Sequence, residues 1–109
     1  MRILIDDLNI SYSEKVRLIK TLMKRESLEE YTELLKWKLQ TLYLHEGVWM
    51  EICRIDNYPH ENQQGSHIHQ HGKKEVIRVS LSFEEAEERI EEITKRILQE
   101  KFNEIIDFE

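Results

Sequence analysis

Two strand patterns meet at a tight turn in residues 35–56, LKWKLQTLYLHEGVWMEICRID. Apolar and polar side chains alternate over residues 35–43, which is typical of a half-buried strand. Glu46 and Gly47 predict a tight turn, and residues 48–56 predict a second strand that is rich in β-forming residues. The stretch therefore indicates an antiparallel hairpin at the centre of a sheet.

Weaker patterns extend this sheet. Residues 67–71 and 75–79 predict two short strands around a turn at Gly72, after a polar loop that runs to Gly65. Residues 3–5 indicate a short strand or an extended arm. Residues 27–33 fit either a helix or a strand. We therefore expect an antiparallel sheet of three or four strands.

Two capping boxes predict helices, because a Ser at the N-cap and a Glu three residues later satisfy each other's backbone N–H groups. The first box spans residues 11–14 and predicts an N-terminal helix over residues 12–25, with a stripe at Tyr12, Val16, Ile19 and Met23. The second spans residues 82–85 and opens a long C-terminal helix, which we expect to bury Ala86, Ile90, Ile93 and Ile97. The predicted fold is α+β, with both helices packed on one face of the sheet.

Composition limits the class of protein. The 109 residues predict a single domain, 1–109. The net charge of −6 lies entirely in residues 82–109, since residues 1–81 carry 12 basic and 12 acidic side chains. Nonspecific coating of nucleic acid requires a basic protein, so that class is disfavoured, while a local polyanion site on the neutral part stays open.

Targeting and redox signals are few. No apolar run reaches the ~18–20 residues that span a bilayer, and the N-terminus lacks the apolar centre of a signal peptide. We therefore expect a cytoplasmic protein without membrane contact. A single cysteine, Cys53, excludes an intramolecular disulfide and a Cys-rich zinc site. Its apolar neighbours favour a small buried side chain over a nucleophile.

The densest set of chemical groups lies in residues 54–71. Alternation along a strand places Arg54 and Asp56 on one face. The same alternation places three imidazoles on one face of the following strand, those of His67, His69 and His71. If the two strands are neighbours, an Arg, an Asp and several histidines converge on one surface.

Three uses of this cluster compete. Arg54 could hold a phosphodiester while two histidines exchange a proton as general base and acid, with Asp56 orienting one imidazole. Alternatively, histidines could bind a transition metal such as Zn, with His60 joining His67, His69 and His71. In the third interpretation the cluster is a solvated hairpin with an ordinary Arg–Asp ion pair.

Aromatic and apolar residues outside the cluster give two further expectations. Trp37, Tyr43 and Trp49 favour core packing over base stacking. The C-terminal tail repeats an apolar pattern beyond what one small sheet can cover, which predicts a homodimer or a partner contact. Its apolar residues are Leu98, Phe102, Ile105, Ile106 and Phe108.

Four short motifs resemble the TumE-type family of small prokaryotic toxins. They are Arg-Ile-Asp-Asn at 54–57, Pro-His at 59–60, His-x-His-x-His at 67–71, and a helix that begins Ser-Phe-Glu-Glu at 82–85. The similarity spans about residues 34–98.

This resemblance implies a toxin-like component of a toxin–antitoxin module that acts on RNA and has an antitoxin partner. If the protein is an enzyme, the implied class is a ribonuclease without a cofactor, with a working surface of Arg54, Asp56, His67, His69 and His71. The alternative function is a non-enzymatic binding or assembly protein, with metal bound through its histidines.

Overall fold

A single antiparallel sheet of six strands forms the body of the protein. The structure, a computed structural model, describes residues 1–31, 33–59 and 65–108. Each strand pairs with its neighbours along the chain, in the order β1-β2-β3-β4-β5-β6. The elements are β1 (Arg2–Ser11), β2 (Val16–Lys24), β3 (Leu35–His45), β4 (Val48–Asp56), β5 (Ser66–Gln70), β6 (Ile77–Val79) and α1 (Phe83–Phe102).

The prediction of an N-terminal helix is wrong, and with it the count of three or four strands. Residues 16–24 form β2, which pairs with β3 at all nine positions and with β1 on its other edge. Val16 belongs both to the helical stripe and to a period-two set with Leu18 and Leu22. Backbone hydrogen bonds to β1 and to β3 favour the period of two over the helical period, because tertiary pairing is stronger than local helix propensity.

The central hairpin is confirmed. β3 and β4 pair antiparallel from His45↔Val48 to Lys38↔Asp56, and β4 has the predicted bounds. Glu46 and Gly47 adopt φ of 50° and 79°, and positive φ at both central positions is what a two-residue type I′ turn requires. Residues 27–31 form bends and turns, so neither the helix nor the strand considered for residues 27–33 forms there.

The C-terminal helix α1 is also confirmed. The Ser82 hydroxyl accepts from the Glu85 N–H at 3.1 Å, and the Ser82 N–H donates to the Glu85 carboxylate at 3.0 Å. The helix ends where Asn103 turns left-handed and its N–H donates to the carbonyl of Leu98. The predicted stripe of Ala86, Ile90, Ile93 and Ile97 is buried, at no more than 7% exposed.

α1 packs across β3 and β4 on one side of the sheet, the helix-covered face. The Trp37 indole stacks on the Phe83 ring at 5.9 Å between centroids. The buried hydroxyls of Thr41 and Thr94 satisfy each other at 2.7 Å. Leu39, Ile55 and Ile68 lie in one cross-strand row beneath the helix, each at most 2% exposed.

The other side of the sheet, the open face, carries no helix among the residues that the structure describes. Directly paired residues of antiparallel strands point to the same side, so the register gives the rows on this face. One row crosses five strands as Thr21, Lys38, Asp56, His67 and Arg78. The next row is Ile19, Gln40, Arg54 and His69.

The C-terminal tail, residues 103–108, folds back onto the chain. Ile106 is buried, and the Phe108 ring contacts the Tyr12 ring edge-on at 4.6 Å. Leu98 is fully buried, Phe102 packs against the core, and only Ile105 of the predicted strip is strongly exposed, at 81%. The tail is therefore not the exposed apolar strip that we expected, and homodimerisation stays a prediction.

α1 carries too many charged residues to cross a bilayer, and no other described segment forms a long apolar helix.

Candidate functional site

Neighbouring strands bring four of the predicted site residues together on the open face. β4 pairs with β5, so Arg54 lies opposite His69 and Asp56 lies opposite His67. The convergence expected from alternation is therefore present for these four side chains. Cys53 and Ile55 are turned to the helix-covered face and are fully buried, as the same alternation predicts.

Asp56 is the centre of the cluster. Its Oδ2 lies 3.3 Å from the Arg54 Nε and 3.8 Å from the His69 Nε2, and its Oδ1 accepts the Tyr58 N–H at 3.0 Å. The carboxyl is 2% exposed. One buried carboxylate therefore faces both the guanidinium of Arg54 and the imidazole of His69.

The four side chains differ in their access to solvent. His67 is fully buried, whereas the side chains of Arg54 and His69 are 32% and 18% exposed. A molecule in solution therefore contacts the side chains of Arg54 and His69, whereas Asp56 and His67 are buried and contact it only through those two residues. One accessible imidazole provides one general acid or base.

The fifth predicted residue, His71, lies elsewhere. It follows β5 in a turn, and its ring packs 5.5 Å from that of Phe102, at the end of α1. Of the proposed metal ligands, His60 falls outside the described residues. Within residues 1–31, 33–59 and 65–108, no three His, Cys, Asp or Glu side chains are arranged to hold a metal ion.

A β-bulge adds Glu51 to the cluster, which alternation alone does not predict. The register shifts between Thr41 and Leu42, so β4 has one extra residue there and Glu51 returns to the face of Arg54. The Glu51 Oε2 accepts the Gln40 side-chain N–H at 2.7 Å and lies 3.6 Å from the Arg54 Nη1. Arg54 thus lies between two carboxylates.

Asn57, the last residue of the Arg-x-Asp-Asn motif, has a structural position. Its side-chain oxygen accepts the Trp37 N–H at 2.8 Å, and its amide donates to the Leu35 carbonyl at 2.7 Å and to Glu33 at 2.9 Å. These bonds tie the end of β4 to the start of β3. Asn57 therefore holds the backbone that carries Asp56.

Aromatic rings and cations adjoin the cluster. The Lys36 ammonium lies 5.5 Å from the Tyr31 ring and 4.5 Å from the Tyr58 ring. Burial, with Glu33 and Asp56 nearby, raises the pKa of Tyr31 to about 12, and burial followed by Asp56 raises the pKa of Tyr58. Both phenols stay protonated at neutral pH.

Of the other aromatic residues considered, Trp37 and Tyr43 are core residues, at 3% and 4% exposed. Trp49 is half-buried, and the Arg17 guanidinium lies 3.9 Å from the centre of its ring.

Charge is divided between the two sides of the sheet. Counted over the described strands, the open face carries five cations and three carboxylates, and Glu33 adds a fourth carboxylate beside it, while α1 carries seven acids and four bases. The cations are Arg17, Lys36, Lys38, Arg54 and Arg78, and the carboxylates are Asp7, Glu51 and Asp56. The open face is therefore positively charged, although the net charge of the protein is −6.

Comparisons with protein-family models, with curated proteins and with solved structures gave no match to this chain. The resemblance to the TumE-type family therefore stays a prediction.

Proposed function

We propose that the protein binds RNA on the open face of its sheet, as the toxin-like component of a toxin–antitoxin module. The observation that carries the proposal is the positive face, at whose centre Arg54 and His69 reach solvent and face the buried Asp56. Lys and Arg side chains supply most of the affinity of a protein for a phosphate backbone.

The chemistry assigned to each group follows from its access. The Arg54 guanidinium contacts a phosphate through its remaining N–H groups, because its Nε faces Asp56. The His69 Nε2 is buried and faces Asp56. Its Nδ1 therefore takes the proton of the 2′-hydroxyl as that oxygen bonds to phosphorus, and returns it to the 5′-oxygen as the bond from phosphorus to that oxygen breaks. The buried His67 is a positioning residue, so exchange between two accessible histidines is not part of this proposal.

Binding is tested with a fluorescein-labelled single-stranded RNA of mixed sequence, by fluorescence anisotropy at several salt concentrations. We expect Arg54→Gln to weaken binding and to reduce the slope of log K against log salt by about 0.7, the value for one phosphate contact on a single strand. The matched control is Lys95→Gln, which removes one exposed cation from α1 and should leave the slope unchanged. Equal effects of the two changes, or no binding by the wild-type protein, would contradict the proposal.

The toxin assignment has its own readout, which is growth arrest on expression in bacteria. His69→Gln keeps a polar side chain of similar size and removes the titrating imidazole, so we expect it to abolish growth arrest. His45→Gln, which removes an exposed imidazole outside the cluster, should not. Harmless expression of the wild-type protein, together with intact RNA in a gel assay, would refute the toxin assignment.

A second candidate is a non-enzymatic binding protein. Glu51 and Asp56 flank Arg54, and His67 is fully buried, which is also the arrangement of a structural polar network. In this binding or assembly protein Arg54 is structural, so the candidate predicts neither a salt slope that depends on Arg54 nor RNA cleavage, and the anisotropy and gel assays together distinguish the two functions.

A further inference from the structure

The helix-covered face is only partly covered. A helix is about 10 Å across and neighbouring strands are about 4.8 Å apart, so one helix covers about two strands. α1 lies across β3 and β4, and β1 packs against β2 alone. On β2 the side chains of Val16 and Leu18 are fully buried, so the exposed part of this half lies along β1 beside α1, and we call it the β1–β2 groove.

The floor of this groove is apolar. Ile5, Leu8 and Ile10 of β1 pair with Leu22, Lys20 and Leu18 of β2, whose side chains face α1. Lys20 confirms this direction, because it forms an ion pair with Glu87 of the helix. Leu8 is 49% exposed, and Ile5 and Ile10 are partly exposed.

The wall of the groove is acidic. Glu87 and Glu91 face β2, where Glu87 contacts Lys20 and Glu91 contacts Tyr12. Glu88 and Glu91 also line a surface cavity with Glu92, Lys95, Asp107 and Phe108. Burial, with Glu87 and Glu88 nearby, raises the pKa of Glu91, although Lys20 opposes this shift. The wall and the cavity together carry five carboxylates, those of Glu87, Glu88, Glu91, Glu92 and Asp107, against the two lysines Lys20 and Lys95.

The other flank of α1 differs in charge, because there Arg96 donates to the side-chain Oε1 of Gln70 in β5 at 2.8 Å, and Arg89 and Arg96 line a cavity with Ile77 and Val79. The acidic flank of α1 is thus the one beside β1 and β2.

We propose that the β1–β2 groove binds an amphipathic, basic helix of a partner protein. The apolar stripe of that helix would cover Leu8 and its row, and its Lys or Arg side chains would meet Glu87, Glu88 and Glu91. Ile5 and Ile10 pair with Leu22 and Leu18 of β2, so the floor is about 14 Å long, which matches about two and a half turns of helix.

A second copy of this chain does not supply such a helix. Within the described residues the chain has one helix, whose apolar stripe is already buried and which carries seven acids against four bases. Its charge has the same sign as the wall of the groove. The occupant is therefore a different protein.

The test uses two fluorescein-labelled helical peptides of about three turns, with the same leucine stripe and with either Lys or Glu at the polar positions. Leu8→Asn is compared with Ile3→Asn, since both remove one exposed aliphatic side chain from β1, and Ile3 lies on the open face. We expect the Lys peptide to bind more tightly than its Glu twin and Leu8→Asn to weaken it about tenfold. Ile3→Asn should leave binding within about twofold.

Three results would overturn the proposal. They are equal binding of the two peptides, equal weakening by the two substitutions, and a wild-type dimer in sedimentation that Leu8→Asn dissociates. The last result would assign the groove to a second copy.

Hydrogen exchange of the wild-type protein keeps the test valid if a variant fails to fold. Saturation with the Lys peptide should slow exchange in residues 5–10, and protection confined to other residues would count against the groove.

Discussion

Cys53 lies in the central strand pair with its side chain against α1. It is fully buried, and burial, followed by the nearby Glu51, raises the pKa of its thiol to about 12. The thiolate is the reactive form of cysteine, so these two observations make the side chain a core group. The sequence predicts this outcome because Ile52 and Ile55 lie close to Cys53 along the strand.

We expect the Cys53 thiol of the folded protein to be unreactive towards a thiol reagent such as dithiobis-nitrobenzoate near neutral pH. In denaturant the same thiol should react at once, because both the burial and the raised pKa are lost. The measurement is the rate of thionitrobenzoate release. Rapid labelling of the native protein would show that this face of the sheet opens.

Some residues of the candidate site can be predicted from the sequence, and others cannot. Alternation is sufficient to bring Arg54 and Asp56 together with His67 and His69, because strand pairing preserves it. Glu51 is missed because the bulge beside Ile52 reverses the alternation. His71 is misplaced because the strand ends at Gln70 and the turn that follows directs its ring towards Phe102.

Among the elements, two capping boxes with the same spacing have different outcomes. Ser82 begins α1, whereas Ser11 ends β1, and its hydroxyl donates to the Ser13 carbonyl at 2.9 Å instead of capping a helix. α1 forms where its apolar stripe predicts a helix, and the residues of that stripe are buried. Residues 12–25 also show a helical stripe, but β1 and β3 pair with β2 from both sides.

These outcomes predict different costs for the same substitution. Ser82→Ala should lower the free energy of unfolding by about 1 kcal/mol, since it exposes an N–H group that the side chain now satisfies. Ser11→Ala should change it by less than about 0.5 kcal/mol, because the side chain is exposed and caps no helix. Urea denaturation followed by circular dichroism measures both. Equal losses would indicate a helix after Ser11.

For the whole molecule, the four tyrosines and Cys53 are groups whose titration affects stability at high pH. The pKa of each of the four tyrosines is raised, and in every case burial is the largest cause. A raised pKa in the folded state means that folding favours the protonated phenol. This contribution is complete below the ordinary tyrosine pKa of 10 and is lost as the pH rises towards about 12.

We therefore expect the free energy of unfolding to fall as the pH rises from 10 to about 12, which urea denaturation at a series of pH values measures. Tyr31→Phe should be less stable at neutral pH, because it loses the bond to the Asn57 carbonyl, and should lose less stability with pH. A steeper alkaline loss in Tyr31→Phe would contradict the assignment.

The two edges of the sheet have a consequence for the behaviour of the protein in concentrated solution. β1 is a long edge strand, but its pairing shifts register between Ile3 and Ile5 and again before Leu8, and Asp7 adopts φ of 44°. β6, at the other edge, has three residues. An incoming strand needs a straight row of unpaired backbone groups, so irregular, charged and short edges resist addition of further chains. We therefore expect the sheet of one molecule not to pair with the sheet of the next, so that fibrils do not form by strand addition.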